Sequence, residues 1–299
     1  MKKIIFYFYP IVLIFLISSC AHLDSNLYNN KKITEYKLDN YTDVNDFNLD
    51  STYRIQDSLI HVFTLQSKTN SESSSTKIYA IYIGKITSIN TDTVIMYCHG
   101  NKWHMDFYWQ RAKLLANIGG KNNYGVLMID YRGYGLSEGN PSEDGMYADV
   151  DAGLQWLKMN GLTDNRLVIY GFSLGSSSAC ELTANPRSLT PSKVILEAPF
   201  ASTAVMVQDG SQLSMPSSFF TNAKIDNAEE IKKINQPLMW IHGTNDLFLN
   251  INTHGQVVFN NHKGLYKEAY KITGADHGEI PPKLGYNNYM EAIKLFIRK

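Results

Sequence analysis

Leu167-Val168-Ile169-Tyr170-Gly171-Phe172-Ser173-Leu174-Gly175-Ser176-Ser177-Ser178-Ala179 decides how this chain is read. Four apolar residues, two of them β-branched, form a strand, and small residues open a helix. Between them lies Gly171-Phe172-Ser173-Leu174-Gly175, a G-x-S-x-G turn. A nucleophile on so sharp a strand-to-helix turn needs neighbours without Cβ atoms, because the backbone is strained and the helix passes close by. The turn lifts the Ser173 oxygen clear of the sheet and aims a helix N-terminus at developing negative charge. The bare pattern arises by chance in roughly one chain in ten of this length, so the strand–turn–helix context carries the reading.

Working outward, strand-like and helix-like patterns alternate on both sides, as βαβ units of a mostly parallel sheet require. Strands are expected at Leu59–Leu65, Ile78–Ile83, Val94–Cys98, Val126–Ile129, Leu167–Tyr170, Val194–Leu196, Leu238–Ile241 and Glu268–Ile272. Tyr147, Val150, Leu154 and Leu157 trace one face of a helix that Asn160-Gly161 can end, and Met290, Ile293, Phe296 and Ile297 repeat the pattern at the C-terminus. Val94–Cys98 runs into His99-Gly100-Asn101, a tight loop placed to supply a second backbone N–H to an oxyanion hole. The N–H groups of Asn101 and Leu174 are the expected donors. His99 is expected to be structural.

Asp130-Tyr131-Arg132-Gly133-Tyr134-Gly135-Leu136-Ser137 follows another strand. Together with His99-Gly100-Asn101, Gly171–Gly175 and Glu197-Ala198-Pro199-Phe200, it resembles the α/β-hydrolase superfamily from about residue 58 onward. Within it, the serine aminopeptidase-like and BEM46-like groups are the nearest in motif. The resemblance implies a mostly parallel sheet of about eight strands flanked by helices, and a Ser–Asp–His triad in that chain order. His242-Gly243-Thr244-Asn245-Asp246 looks like the family's acid turn and makes Asp246 the expected acid, with Glu197 as the competing carboxylate. A base must reach both acid and nucleophile from the loop after the last core strand, which selects His277 in Gly274-Ala275-Asp276-His277-Gly278. His254 and His262 read as surface residues, and Asp276 as a loop residue.

Phe200 and Pro237 enclose a segment, about 201–236, where this superfamily often inserts a lid; its length suits a helix or two. Met206, Leu213, Met215, Phe219 and Phe220 there either line an acyl pocket or pack on the sheet. Trp103, Phe107, Tyr108 and Trp109 are either a pocket wall or the buried face of a helix.

Met1-Lys2-Lys3 and the apolar run Ile4–Ile17 have the form of a secretory signal, and the run is short of the roughly 20 residues that span a bilayer. Leu16-Ile17-Ser18-Ser19-Cys20 resembles the lipobox of bacterial lipoproteins, which implies a lipidated Cys20 and an exported, membrane-anchored protein in the bacterial envelope. The alternatives are an ordinary signal peptide and a weak uncleaved anchor. Residues 1–19 are thus expected to be a signal peptide, 20–57 a polar tether and 58–299 the hydrolase domain.

Of 299 residues, 44% are hydrophobic and 19% charged, which is a globular composition. Lys+Arg and Asp+Glu both total 28, and the absence of a basic block argues against nucleic acid as a partner. No cofactor is expected, and no ligand cluster suggests a metal. Cys98 and Cys180 either pair or stay buried and reduced. The expected activity is hydrolysis of a small-molecule carboxylic ester or acyl thioester. An aminopeptidase or amidase on the same residues, and a non-catalytic binding lipoprotein, are the alternatives.

Overall fold

The computed structural model describes residues 27–43, 45–119, 124–211 and 223–299. The signal segment and Cys20 lie outside them, as do Leu213, Met215, Phe219 and Phe220 of the expected lid.

Eight strands form one sheet: β1 (Ile60–Ser67), β2 (Thr76–Ile83), β3 (Thr93–Cys98), β4 (Tyr124–Asp130), β5 (Leu167–Phe172), β6 (Lys193–Glu197), β7 (Leu238–Gly243) and β8 (Lys267–Ile272). Their spatial order is β1-β2-β4-β3-β5-β6-β7-β8. β2 runs antiparallel to both β1 and β4, and every later pairing is parallel. All eight expected strands are present. The inner ones are buried along all or nearly all of their length, as helices on both faces require.

The helices are α1 (Met105–Ala116), α2 (Glu143–Met159), α3 (Gly175–Ala184), α4 (Thr203–Ser211), α5 (Asn227–Glu230), α6 (Gly255–Asn261), α7 (Ile280–Leu284) and α8 (Tyr286–Arg298). Side chains that alternate along the strands feed two cores. One packs Met96, Leu127 and Ile169 against Leu154 of α2 and Ala179 of α3. The other packs Ile95, Tyr97 and Val126 against Trp109 of α1 and Phe296 of α8. α2 starts where Ser142 accepts the Gly145 N–H at 3.2 Å, and past its end Gly161 takes the positive φ the sequence anticipates. Among the described residues, no helix is long and apolar enough to cross a membrane.

The expected polar tether over 20–57 is corrected from Leu27 onward. Leu27, Tyr28, Phe47 and Ile55 are buried in the two cores. Trp103 donates its N–H to Asn29 O (2.7 Å) and accepts from Lys31 N–H (3.1 Å), while Gly135 N–H reaches Lys31 O (3.0 Å). Asp106 on α1 accepts the N–H groups of Lys37 and Leu38 at 2.9 and 2.8 Å. The segment shows no apolar period because it forms neither a long helix nor a sheet strand. Its few apolar side chains drop singly into sockets made by distant elements.

Candidate active site

The parallel strands end at one edge of the sheet, and the chemistry-bearing residues collect there, as open α/β sheets dictate. Ser173 follows β5 with φ +51, in the left-handed region that a side chain rarely adopts. Its N–H is held by Glu197 O at 3.0 Å, and its carbonyl accepts Ser176 N–H at 3.0 Å and Ser176 Oγ–H at 2.6 Å. A Cβ on Gly171 would collide with the Gly175–Ser176 backbone, and one on Gly175 with the carbonyls of Cys98 and His99. Both glycines are therefore sterically demanded by the turn, for the reason read from the sequence.

Ser173, His277 and Asp246 come together as a hydrogen-bonded chain. His277 Nδ1 lies 2.7 Å from Asp246 Oδ2, and His277 Nε2 lies 2.8 Å from Ser173 Oγ. A carboxylate can only accept, so Nδ1 carries the proton and Nε2 presents its lone pair to the Ser173 hydroxyl. The other Asp246 oxygen accepts the N–H groups of Phe248 (3.0 Å) and Leu249 (2.7 Å). His242 approaches Asp246 Oδ2 at 3.1 Å through Nε2, and its Nδ1 accepts from the Trp240 indole at 3.2 Å, which puts the His242 proton on Nε2. Burial alone would raise the Asp246 pKa, but hydrogen bonds from His242 and His277 outweigh it and hold the group well below the ordinary carboxylate range.

Two loops fix this geometry. Asn245 N–H meets Ala275 O at 3.0 Å, and Gly274 N–H meets Thr244 Oγ1 at 2.9 Å. Asp276 Oδ1 accepts from Leu247 N–H (3.0 Å) and His277 N–H (2.8 Å), so it clasps the loops, in keeping with its reading as a loop residue.

Glu197 does not reach the imidazole. It is fully buried and paired with Arg111 of α1 and the hydroxyls of Tyr170 and Tyr289, the last at 2.8 Å. Burial works against the Arg111 charge, and Glu197 outweighs it, keeping the guanidinium pKa well above its ordinary value. Arg111 also lies 4.1 Å over the Phe172 ring, whose centroid is 5.2 Å from that of His277. It donates to Gly278 O at 3.4 Å, directly after His277 in the chain. Glu197 and Arg111 thus brace the imidazole from behind.

Asn101 lines the same cavity as Ser173, and its side chain is tied to Leu27 O at 3.1 Å. Leu174 begins the turn into α3. Among the described residues no acceptor takes the backbone N–H of either. His99 is structural, as expected: buried, 2.7 Å from Gly100 O, and packed between Tyr108 and Tyr131. Asp130 stands behind this loop, accepting Met105 N–H at 2.8 Å at the start of α1 and the Tyr36 hydroxyl at 2.7 Å.

The surface reading of His254 and His262 is corrected. Both are buried: His254 Nδ1 accepts Ala201 N–H at 3.1 Å, and His262 Nε2 lies 2.9 Å from Gln236 O. Polar neighbours in sequence hid them, because loops from elsewhere cover both rings. Cys98 and Cys180 are free and buried, and burial pushes both thiols up.

A cavity of about 1020 Å³ opens over Ser173 and His277. Phe107 and Tyr108 form part of its wall while being buried in the core, so the two sequence readings of that aromatic run are both realised. No described residue of 201–236 lines it. Tyr28, Asn29, Asn30 and Asp46 do, although the sequence reading placed them in a tether. Asp46 lies 3.5 Å from Arg111, and its pKa is raised because burial outweighs that pairing. Only contact across the fold reveals this wall, so no local signal marks it. Among the described residues, no group of His, Cys, Asp and Glu side chains forms a metal site.

Comparison with known proteins extends the geometry. The family model for serine aminopeptidase, S33, matches residues 89–234, which include Ser173 and stop short of Asp246 and His277. Alpha/beta hydrolase domain-containing protein 17B of Xenopus tropicalis is 29% identical over 215 residues, covering 70% of this chain and 68% of the relative. The Homo sapiens protein of the same name is 28% identical over 215 residues, with the same coverage. Among solved structures, an esterase of Pyrococcus furiosus superposes with a TM-score of 0.66 at 17% identity, covering 91% of this chain and 97% of its own. An esterase of Rhodococcus sp. gives a TM-score of 0.60 at 16% identity, covering 80% and 98%.

Proposed function

We propose that this chain, which has the α/β-hydrolase fold and matches the serine aminopeptidase, S33, family model over residues 89–234, is a serine hydrolase cleaving carboxylic esters or acyl thioesters through an acyl-enzyme. The reading rests on one observation, the chain Asp246–His277–Ser173 at 2.7 and 2.8 Å. His277 Nε2 takes the Ser173 proton as Oγ attacks the carbonyl carbon. Asp246 keeps the imidazole in the required tautomer and stabilises the imidazolium. The N–H groups of Asn101 and Leu174 bind the oxyanion, and the left-handed turn at Ser173 aims Oγ at the cavity. The imidazolium then protonates the leaving alcohol or thiol, and water, deprotonated by His277, releases the acid. No step calls on a metal or organic cofactor.

A fluorophosphonate probe tests this. Folded protein should label, and Ser173→Ala should not; wild type that stays unlabelled removes the reading. Loss of Ser173 or His277 should lower kcat about 10⁴–10⁶-fold.

One observation favours a second reading, an aminopeptidase or amidase: the carboxylates of Asp46 and Glu279 line the cavity, where a substrate ammonium could pair with them. Against it, Asp46 already faces Arg111. Paired aminoacyl anilides and nitrophenyl esters separate the two, and faster turnover of the anilides would put the amidase first.

A further inference from the structure

We propose that the mouth of the Ser173 cavity faces a lipid bilayer, and that the apolar side chains of Leu247 and Phe248 enter its surface so that the acyl substrate passes from membrane to cavity. The inference rests on the hydrolase reading above and adds the source of its substrate.

Leu247 and Phe248 line the cavity, yet they are 90% and 55% exposed. They are not displayed by a slack loop. The Leu247 N–H is held by Asp276, the Phe248 N–H by Asp246, and the preceding Asn245 N–H by Ala275 O. The turn that orients the Asp246 carboxylate therefore sets two adjacent apolar side chains at the rim, Leu247 standing in the open and Phe248 with one edge on the His277 ring, centroids 5.2 Å apart, and the rest exposed. A rigid apolar pair next to a reactive serine fits an apolar partner.

The course of the chain says which partner. Tyr28, Asn29 and Asn30 also line the cavity, so the described chain begins at this mouth. Tyr28 lies only eight positions beyond Cys20, the expected lipidation site. Fully extended, that stretch reaches at most ~28 Å, while a body of this size is roughly 45–50 Å across. If the apolar run ending at Ile17 is instead retained as the anchor, the reach grows only to ~40 Å. On either anchor that reach is shorter than the body is wide, so the body cannot turn its opposite end to the membrane.

Exposed Leu265 provides an internal control. It precedes β8, which is parallel to β7, whereas Leu247 lies beyond the end of β7. The two leucines are thus at opposite ends of the sheet.

The test uses the full chain, processed in bacterial membranes and reconstituted into phosphatidylcholine–phosphatidylglycerol vesicles. Leu247→Cys and Leu265→Cys variants are labelled with a fluorophore, Cys98 and Cys180 being buried. The label at 247 is expected to lose most of its emission to lipids brominated along the acyl chain and to resist aqueous iodide, and the label at 265 to do the reverse. Iodide quenching both positions equally, no bromolipid quenching at 247, or failure of the protein to float with the vesicles would each overturn the proposal. Fluorophosphonate labelling of Ser173 in the same vesicles reads the hydrolase assignment separately: a labelled serine without quenching at 247 removes only the membrane orientation, and quenching without labelling removes the supply of substrate from the bilayer along with the hydrolase.

Discussion

Glu197 closes β6 and Asp246 follows the neighbouring parallel strand β7, yet the two carboxylates are held in opposite ways. Asp246 turns toward the cavity edge and is given neutral or weakly acidic donors: two backbone N–H groups, His242 and His277. Glu197 turns into the core and meets a permanent cation, Arg111, with two tyrosine hydroxyls. A carboxylate that neutralises a guanidinium has little left to offer a proton-transferring imidazole. One held ionised mainly by hydrogen bonds keeps its charge for the imidazolium. The difference teaches that the identity of the partner, not burial, separates the proposed triad acid from a bracing carboxylate.

Substitutions at both carboxylates can break that comparison. Asp246→Asn should give the largest effect, a kcat loss on the order of 10⁴-fold with melting temperature little changed, because the amide favours the wrong His277 tautomer. Ester hydrolysis and thermal unfolding check it together. Glu197→Gln should instead act on stability, costing about 3 kcal/mol by leaving buried Arg111 with only the more distant Asp46 opposite its charge, with kcat in the still-folded fraction reduced far less. Denaturant unfolding measures the first, and active-site titration before the assay isolates the second. If Glu197→Gln in folded protein abolished turnover while Asp246→Asn did not, the two roles would be exchanged.

The double variant Arg111→Met/Glu197→Gln sharpens the point. Removing both charges should recover part of the stability lost in Glu197→Gln, since a buried pair replaced by neutral groups is commonly tolerated. Its catalytic signature is expected in kcat more than KM, because Phe172 and Gly278 lose the support that seats the His277 ring. The smallest effect belongs to Asp46. Its folded pKa is raised above the ordinary aspartate value, so the folded state holds that proton more tightly than the unfolded chain. Folding is unpenalised below the ordinary value near 3.9 and loses stability as pH rises through the folded pKa. Asp46→Asn should therefore melt higher than wild type at pH 7, and the gap should close as pH falls toward 4. Melting curves across that range decide it, and a gap that widened in acid would reverse the sign.

Much of the site was legible because its constraints are local. Gly171 and Gly175 flank Ser173 because their own turn leaves no room for a Cβ, and that steric demand is written within five residues. Asp246 and His277 each sit on a short loop directly after a strand, where the family resemblance led them to be sought. His254 and His262 were misread for the converse reason: each is covered by a partner 26 or more positions away, Ala201 for one and Gln236 for the other.

The sequence by itself determined the eight strands and the sharp turn at Ser173, since side-chain period and turn chemistry act over a few residues, and resemblance to a family supplied the expected order of serine, acid and base. Tertiary structure alone decided that residues 27–57 are part of the body, that Tyr28 and Asp46 wall the cavity, and that Glu197 serves Arg111. These outcomes depend on which surfaces meet once the sheet has formed. A lone Phe47 or Ile55 acquires meaning only when a distant helix supplies its socket, and a carboxylate becomes an acid or a brace only when its partner arrives.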